Sequence, residues 1–430
     1  MKVIDIIPRP LNGTVDIPPS KSISHRAIIA ASLCNGESII DNIIMSKDVK
    51  ATCDGVVSLG AEIDIQSSYG NRYSIIIRGK GRIEAKEKFI DCVESGSTLR
   101  FLIPLAALCG ENITFHGKGK LIERPLYVYY DIFHKQGISY HNNLGKLPLT
   151  LGGRLEPGDF HIRGDISSQF ITGLMFALPL LNGDSRIIIN TALESKGYVD
   201  ITIDVLKSFG VNILNEDYKI FKIRGNQVYK PRRYSVEGDF SQAAFWLVAG
   251  ILAGSVECGG LDMNSLQGDR DIINIIKKMG GNIEIKDRDL TTHKSITSGV
   301  SIDASQIPDL VPIISVIASL SKGTTIIKGA SRLRIKESDR LKAITSELSK
   351  IGGRIKDIKD GLIIDGIDSF EGGIVDSWND HRIVMAMAIA STRCKKPLTI
   401  VGGESVEKSY PGFWEDFKKL GGDICERDMG

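Results

Sequence analysis

Six runs of apolar residues, each of helical length, recur along the chain. Each follows a short β-type stretch and a cluster of small or polar residues. They read "IPPSKSISHRAIIAASL" from Ile17, "IDCVESGSTLRFLIPLAAL" from Ile90, "IRGDISSQFITGLMFALPLL" from Ile162, "VEGDFSQAAFWLVAGIL" from Val236, "IDASQIPDLVPIISVIASL" from Ile302 and "VDSWNDHRIVMAMAIAST" from Val375. Successive starts lie 73, 72, 74, 66 and 73 residues apart. A second helical pattern follows in every interval and stops at Gly60, Gly137, Gly210, Gly280, Gly352 and Gly421, spaced 77, 73, 70, 72 and 69 residues. Glycine just past a helix end enters the left-handed region without a Cβ penalty. Two independent registers of six define an internal repeat. Between each glycine and the next start, runs such as "AEIDIQ" and "YSIIIRG" predict two strands joined by a turn. The module is strand–helix–strand–helix–strand–strand.

The sixth module has nine residues after Gly421, too few for its strand pair, and the N-terminal "MKVIDII" supplies a missing strand. The chain's start is therefore predicted to dock on its C-terminal half. Three modules per domain place the crossings near residues 12–18 and 232–238, with "YKPRRYS" (229–235) as the second crossing segment. The predicted domains are 17–236, and 1–16 with 237–430. The first helix of each module is apolar nearly all round and should be buried. Its start is polar, and a helix N-terminus attracts anions. Six such ends are six potential anion sites if the fold gathers them, which spacing alone leaves open.

Composition narrows the class. With 430 residues, 42% apolar content and 45 glycines, the chain suits a soluble α/β protein of two domains or one large one. A net charge of +2 is too balanced for nucleic acid or an anionic membrane as partner. No apolar stretch spans a bilayer and "MKVIDIIPRP" lacks signal-peptide form, so the expected location is the cytoplasm. Seven scattered cysteines with no C-x-x-C pair fit a reducing compartment and argue against a disulfide framework or a zinc site. Neither a metal nor a cofactor is expected.

The polar clusters each admit two readings. "PPSKSISHRAII" (18–29) crowds Lys21, Ser22 and Arg26 at a helix start; taken alone, a serine N-cap with solvated basic residues is favoured over an anion seat. "ESGSTLR" (94–100) offers a turn at Gly96 and a cation at Arg100, a weak signal unaided. "KLIERPL" (120–126) sets Arg124 before Pro125, an extended approach to a helix N1 position or a solvated turn. "GDISSQF" (164–170) brings Ser167, Ser168 and Gln169 to a helix start, more polar groups than an N-cap needs. In "RIKESDRLKAI" (334–344), Lys336 and Arg340 have i,i+4 spacing on one face, a like-charge pair that an anion could bridge, or part of a mixed solvated face; Glu337 lies between them. "WNDHRIVMAMA" sets Asp380, His381 and Arg382 against a buried helix, where an arginine needs a carboxylate or a ligand. Asp309 in "IPDLVPII" is an N-cap or a base. Nucleotide-loop, hydrolase-elbow, zinc-protease and EF-hand patterns are absent. The inventory suits acid–base chemistry between anionic small molecules held by fixed cations.

Taken in order, "PPSKSISHRA", "ESGSTLR", "ERP", "GDISSQF", "IPD", "RIKESDRL", "NDHR" and "EKSYPGFW" resemble the 5-enolpyruvylshikimate-3-phosphate synthase family over essentially the whole chain. The resemblance implies two similar α/β (α+β) domains, each of three βαβαββ units in an inside-out α/β barrel. It also implies helix N-termini that point into an interdomain cleft holding the active site. The implied reaction moves the enolpyruvyl group of phosphoenolpyruvate to the 5-hydroxyl of shikimate 3-phosphate and releases phosphate. By matching motif, Lys21, Ser22, Arg26, Ser167, Ser168, Gln169, Ser195, Tyr198, Asp309 and Lys336 would hold shikimate 3-phosphate. Lys21, Gly96, Arg124, Gln169, Arg340, Arg382 and Lys408 would grip phosphoenolpyruvate. Asp309 would take the 5-hydroxyl proton, and Glu337 with Lys21 would handle the proton at C3. The implied partners are these two substrates alone, on a monomer.

Four positions depart from the common family pattern: Glu94 where asparagine is frequent, Ser97 where threonine is, Phe101 where proline is, and Gly197 where proline is. Glu94 is expected to point away from phosphoenolpyruvate or to pair with a base. The sister enzymes acting on UDP-N-acetylglucosamine carry Lys-Asn in the first motif and a reactive cysteine near "ERP"; here the motif is Lys-Ser and Cys109 lies beyond an apolar helix. An RNA 3′-phosphate cyclase would want a nucleophilic histidine and a basic surface. A non-catalytic anion-binding scaffold would not need Asp309, Glu337 and His381 beside the cations.

Overall fold

The repeated pattern becomes six pairs of helices in a computed structural model that describes residues 1–428. The pairs are α1 (Lys21–Ser32) and α2 (Lys47–Ser58), α3 (Gly96–Ala106) and α4 (Tyr127–Gln136), α5 (Ser168–Ala177) and α6 (Lys196–Ser208), α7 (Phe240–Ala253) and α8 (Ile272–Lys278), α9 (Val311–Ser319) and α10 (Arg340–Lys350), and α11 (His381–Ser391) and α12 (Phe413–Lys419). The polar residues before the first helix of a module are caps. Ser20, Ser95, Ser167, Asp239 and Asp380 accept backbone N–H groups of the first turns of α1, α3, α5, α7 and α11. The fifth module differs. There a 3-10 turn, Pro308–Leu310, leads into α9, and the cap residues Ile307 and Leu310 give no side-chain cap bond. Having no polar face, these first helices are buried along their length; every residue of α11 is buried. The second helices end on left-handed glycines, with φ of +112° at Gly60, +66° at Gly137, +84° at Gly210, +88° at Gly280, +92° at Gly352 and +95° at Gly421.

Each module contributes to a four-stranded sheet. In the third, Asp159–Ile162 runs parallel to Ser185–Ile189 across α5, and the hairpin of Ile213–Glu216 with Ile220–Ile223 adds antiparallel to Ser185–Ile189. The sixth sheet is completed as predicted: Lys2–Ile7 inserts antiparallel between Leu398–Val401 and Asp423–Asp428. One feature departs from the simple repeat. Asn12–Asp16, leading into α1, pairs with Ser255–Gly259 of the fourth module, while Arg233–Ser235, leading into α7, pairs with Asn35–Ile43 of the first. Modules one and four thus exchange their opening strands.

The chain divides into two compact units, Met1–Pro18 with Glu237–Gly430 and Pro19–Val236. Each has its own apolar core. That of the 19–236 unit is built on the helices from Ile23 to Phe209, with Tyr129, Phe170 and Phe176 at its centre; that of the other is built on α7, α9 and α11. Among the described residues no helix is long and apolar enough to cross a membrane.

Candidate active site

In the 19–236 unit the polar helix starts are joined by direct contacts. Lys21, the first residue of α1, pairs with Asp48 of α2 at 2.8 Å. Arg26, one turn on, is 2% exposed. Its guanidinium donates to the Ser22 carbonyl at 2.6 Å, Thr202 Oγ1 at 2.7 Å and the Tyr198 carbonyl at 3.0 Å, and lies over the Phe101 ring at 5.1 Å. None of these partners is charged. Burial pushes its pKa down to about 9, so it stays a cation at neutral pH.

Arg100 on α3 is equally buried. It donates to Gln169 Oε1 at 2.7 Å and the Pro125 carbonyl at 3.2 Å, and Gln169 Nε2 donates to Ser97 Oγ at 2.9 Å, tying α3 to α5. Burial, then the neighbouring Arg124 charge, holds the Arg100 guanidinium well below its ordinary value. Two guanidiniums with mutual repulsion favour an anion between them. Arg124 also explains Gly96: a Cβ there would lie 2.4 Å from Arg124 Nη1. No carboxylate pairs with Arg26 or Arg100 among the described residues. Ser167 caps α5, Ser168 opens it, and Ser195 (φ +56°) precedes α6, whose Tyr198 carbonyl meets Arg26.

The other unit inverts this electrostatic arrangement. Arg340, 2% exposed, donates to Asp309 Oδ1 at 2.9 Å, to Asp380 Oδ2 at 2.8 Å and to Glu337. Burial opposes its charge, but Asp380, Glu337 and Asp309 outweigh it and raise the guanidinium well above its ordinary value. Asp309 also accepts from Arg382 at 2.9 Å and lies 3.6 Å from Lys336 Nζ. Arg382 reaches back to Ser241 Oγ at 3.0 Å, and that hydroxyl donates to the α7 cap Asp239 at 2.6 Å. Lys408 Nζ donates to the Asn379 carbonyl at 2.7 Å, beside Asp380. Asp309, Glu337, Lys336, Arg340, Arg382 and Lys408 thus form one connected set.

Several local expectations need correction. Lys336 and Arg340 do not share a helical face: Asp339 caps α10, so the helix begins at Arg340, while Lys336 is extended, with φ −84° and ψ −154°. A carboxylate, Asp309, lies between the two cations. Pro125 is not at a helix N1 position, because α4 starts two residues later at Tyr127. Glu94 Oε2 packs against Gly119, where a Cβ would come within 3.0 Å of it. Metal-ligand spacing was not evident in the sequence, yet Glu337, Asp380 and His381 bring ligating atoms within 4.8 Å of one another. Both carboxylates of that trio bind Arg340. Sequence reasoning missed Asp48, Asp239 and Ser241; the repeat register marked Asp239, which occupies the cap position of Ser20 and Ser95.

Buried cations without a carboxylate in one unit and cation-held carboxylates in the other suit a protein that handles small anionic molecules. Comparison with known proteins gives the family. The model of EPSP synthase (3-phosphoshikimate 1-carboxyvinyltransferase) matches residues 6–417. The 3-phosphoshikimate 1-carboxyvinyltransferases of Clostridium novyi and Clostridium kluyveri are 57% and 56% identical, with all of this chain and all of each relative covered. The chain belongs to the EPSP synthase family and is a transferase. Its fold matches EPSP synthase from Acinetobacter baumannii (TM-score 0.83, 24% identity, all of both chains). It also matches the enolpyruvyl transferase NikO from Streptomyces tendae (TM-score 0.83, 16% identity, 100% of this chain and 99% of that one).

Proposed function

We propose a division of labour between the two residue sets for the reaction of this family. The chain transfers the enolpyruvyl group of phosphoenolpyruvate to the 5-hydroxyl of shikimate 3-phosphate, giving 5-enolpyruvylshikimate 3-phosphate and phosphate. In the 19–236 unit, Lys21, Ser22, Arg26, Ser167, Ser168, Gln169, Ser195 and Tyr198 bind shikimate 3-phosphate. Arg124, the Gly96 backbone and Gln169 bind phosphoenolpyruvate, joined by Arg100, a reading supported by the influence of the Arg124 charge on it. In the other unit, Arg340, Arg382 and Lys408 bind phosphoenolpyruvate, Lys336 binds shikimate 3-phosphate, and Asp309 and Glu337 handle protons.

The reaction draws on both sets. A proton reaches C3 of phosphoenolpyruvate through Glu337 and Lys21, which builds positive charge at C2. The 5-oxygen attacks C2 as Asp309 takes its proton. The tetrahedral intermediate then loses a C3 proton and expels phosphate. The cations of each set offset the substrates' negative charge and stabilise the charge that develops in the reaction.

The observation that supports this reading best is Asp309 fixed by Arg340, Arg382 and Lys336, a carboxylate oriented rather than left to cap a helix. In a phosphate-release assay, product should form only when phosphoenolpyruvate and shikimate 3-phosphate are both present. Asp309→Ala should cut turnover far more than binding. Equal turnover with UDP-N-acetylglucosamine as acceptor would refute the assignment.

A further inference from the structure

The segment that delivers Asp380, His381 and Arg382 is strained. Trp378 and Asn379 are consecutive non-glycine residues with φ +53° and +52°, a left-handed pair that persists only where the surroundings impose it. What holds the turn is a side chain on α10, two turns beyond Arg340. Glu347 is fully buried. Its Oε2 accepts from the Asp376 backbone N–H at 2.8 Å and its Oε1 from Trp378 Nε1 at 2.8 Å, so one carboxylate grips both ends of the first half of the turn. Ser346 Oγ donates to Oε1 at 3.0 Å, and Lys350 Nζ sits 2.7 Å from Oε2. Lys350 is about half exposed, with 46% of its side chain accessible, so the buried contacts are those to the turn. Burial opposes the carboxylate's charge; Lys350, the Asp376 N–H, Trp378 and Ser346 outweigh it and hold the pKa below the usual value.

Beyond the clamp, the turn hands its geometry directly to the site. The Asn379 carbonyl accepts from Lys408 Nζ at 2.7 Å, and Asp380 accepts from Arg340 Nε at 2.8 Å and Ser338 Oγ at 3.0 Å. Arg340 itself opens α10, so the helix meets the turn at two places: at Arg340 through Asp380, and at Glu347 through Asp376 and Trp378.

We propose that Glu347 is a positioning residue for phosphoenolpyruvate, clamping the Asp376–Asp380 turn to α10 so that Asp380 and the Asn379 carbonyl hold Arg340 and Lys408 in place. The proposal rests on the assignment of Arg340 and Lys408 to phosphoenolpyruvate, and goes beyond it by naming what fixes them.

Three variants test it in steady-state kinetics, with the folded fraction measured by thermal unfolding: Glu347→Gln, Trp378→Phe and Lys350→Met. Glu347→Gln puts an NH2 against a donor. It should lower kcat/KM for phosphoenolpyruvate about tenfold or more and leave KM for shikimate 3-phosphate within about twofold. Trp378→Phe keeps an aromatic side chain but loses the pyrrole half of the indole with its donor; it should move the same parameter about three- to fivefold. The double variant should be no worse than Glu347→Gln alone, because both cut one clamp. Lys350→Met leaves both turn contacts of Glu347 in place and should move the same parameter less than Trp378→Phe does. Should Glu347→Gln fail to fold, Trp378→Phe decides. If the variants lose thermal stability but keep kcat/KM for phosphoenolpyruvate within twofold per folded molecule, Glu347 is structural only and the proposal is overturned. An equal rise in KM for both substrates also overturns it. Lys408→Met, with its KM for phosphoenolpyruvate read against its KM for shikimate 3-phosphate, tests the underlying assignment separately.

Discussion

Gly96→Ala separates stability from binding in a way the structure makes quantitative. The added methyl would lie 2.4 Å from Arg124 Nη1, 2.8 Å from Cζ and 3.0 Å from Nη2. Ordinary contact begins near 3.4 Å, so the guanidinium must retreat by about 1 Å. The obstacle is the far end of a long side chain rather than backbone, so the fold can yield. Gly96 is the first residue of α3 and is not among the positive-φ glycines, so alanine there stabilises by about 0.4–1 kcal/mol through the unfolded chain. Stability should therefore hold or rise. A charge-assisted hydrogen bond to an anion contributes about 1.5–3 kcal/mol, and a 1 Å displacement forfeits most of it. The expected result is a KM for phosphoenolpyruvate raised about 10- to 150-fold at saturating shikimate 3-phosphate. Initial rates and a thermal midpoint measured on the same preparation check both signs. A KM within twofold of the parent would show that Arg124 does not grip phosphoenolpyruvate.

Two further predictions concern the fold. Gly60 and Gly137 hold the same repeat position, but a Cβ at Gly60 would lie 2.4 Å from the Glu84 carbonyl oxygen, while Gly137 has nothing within 4 Å. Gly137→Ala should cost about 1–2 kcal/mol for the left-handed backbone alone, and Gly60→Ala about 2–4 kcal/mol, read as a larger drop in denaturant midpoint; equal losses would remove the steric distinction. His25 is buried, with Nδ1 2.6 Å from Thr52 Oγ1, and burial, then Lys21 and Arg26, hold its pKa well below 6.5. Below pH 6.5 the unfolded chain takes up a proton that the folded one refuses. The stability present above that pH is then lost at about 1.4 kcal/mol per pH unit from this residue, and His25→Asn should flatten the slope between pH 6.5 and 5.5.

How far the fold could be read from the sequence follows from which signals are local. Helix starts and left-handed glycines depend on a few neighbouring residues; the N-terminal strand pairs with residues about 400 positions away and was legible only because the repeat left the sixth module a strand short. The exchange of opening strands was invisible because "TVDIPPS" and "YSVEGDF" fit either sheet; only non-local pairing chooses. Lys336 and Arg340 misled because i,i+4 spacing counts as a helical face only if the helix includes both, and Asp339 starts it between them. Glu347 left no signal. A glutamate in a helix is ordinarily a surface residue, and its burial depends on Asp376 and Trp378, about thirty positions away. The polar clusters themselves were legible, but the common role proposed for them came through the family resemblance rather than from any one of them.

The contrast between the two units leads to a last prediction, in which binding and turnover move in opposite directions. Arg26 and Arg100 are buried without a carboxylate, so a bound anion relieves a desolvated charge there. Arg340, Arg382 and Lys336 already share Asp309, so an anion arriving at those cations competes with a carboxylate of the protein itself. Asp309→Ala removes the competitor and leaves three cations less neutralised. Losing one partner of a buried pair costs about 3–5 kcal/mol, and less here because Asp309 keeps 17% of its side chain exposed. The unliganded variant should therefore melt below the parent. Phosphoenolpyruvate should restore more of its stability than it adds to the parent, since a ligand anion now replaces the lost charge. Turnover should still collapse if Asp309 takes the 5-hydroxyl proton as proposed. A larger ligand-induced thermal shift together with a kcat lowered about 10²- to 10⁴-fold is the expected pair of results. A thermal shift smaller than the parent's would mean that Asp309 helps bind the anion instead of competing with it, and the contrast between the units would fail at its central residue.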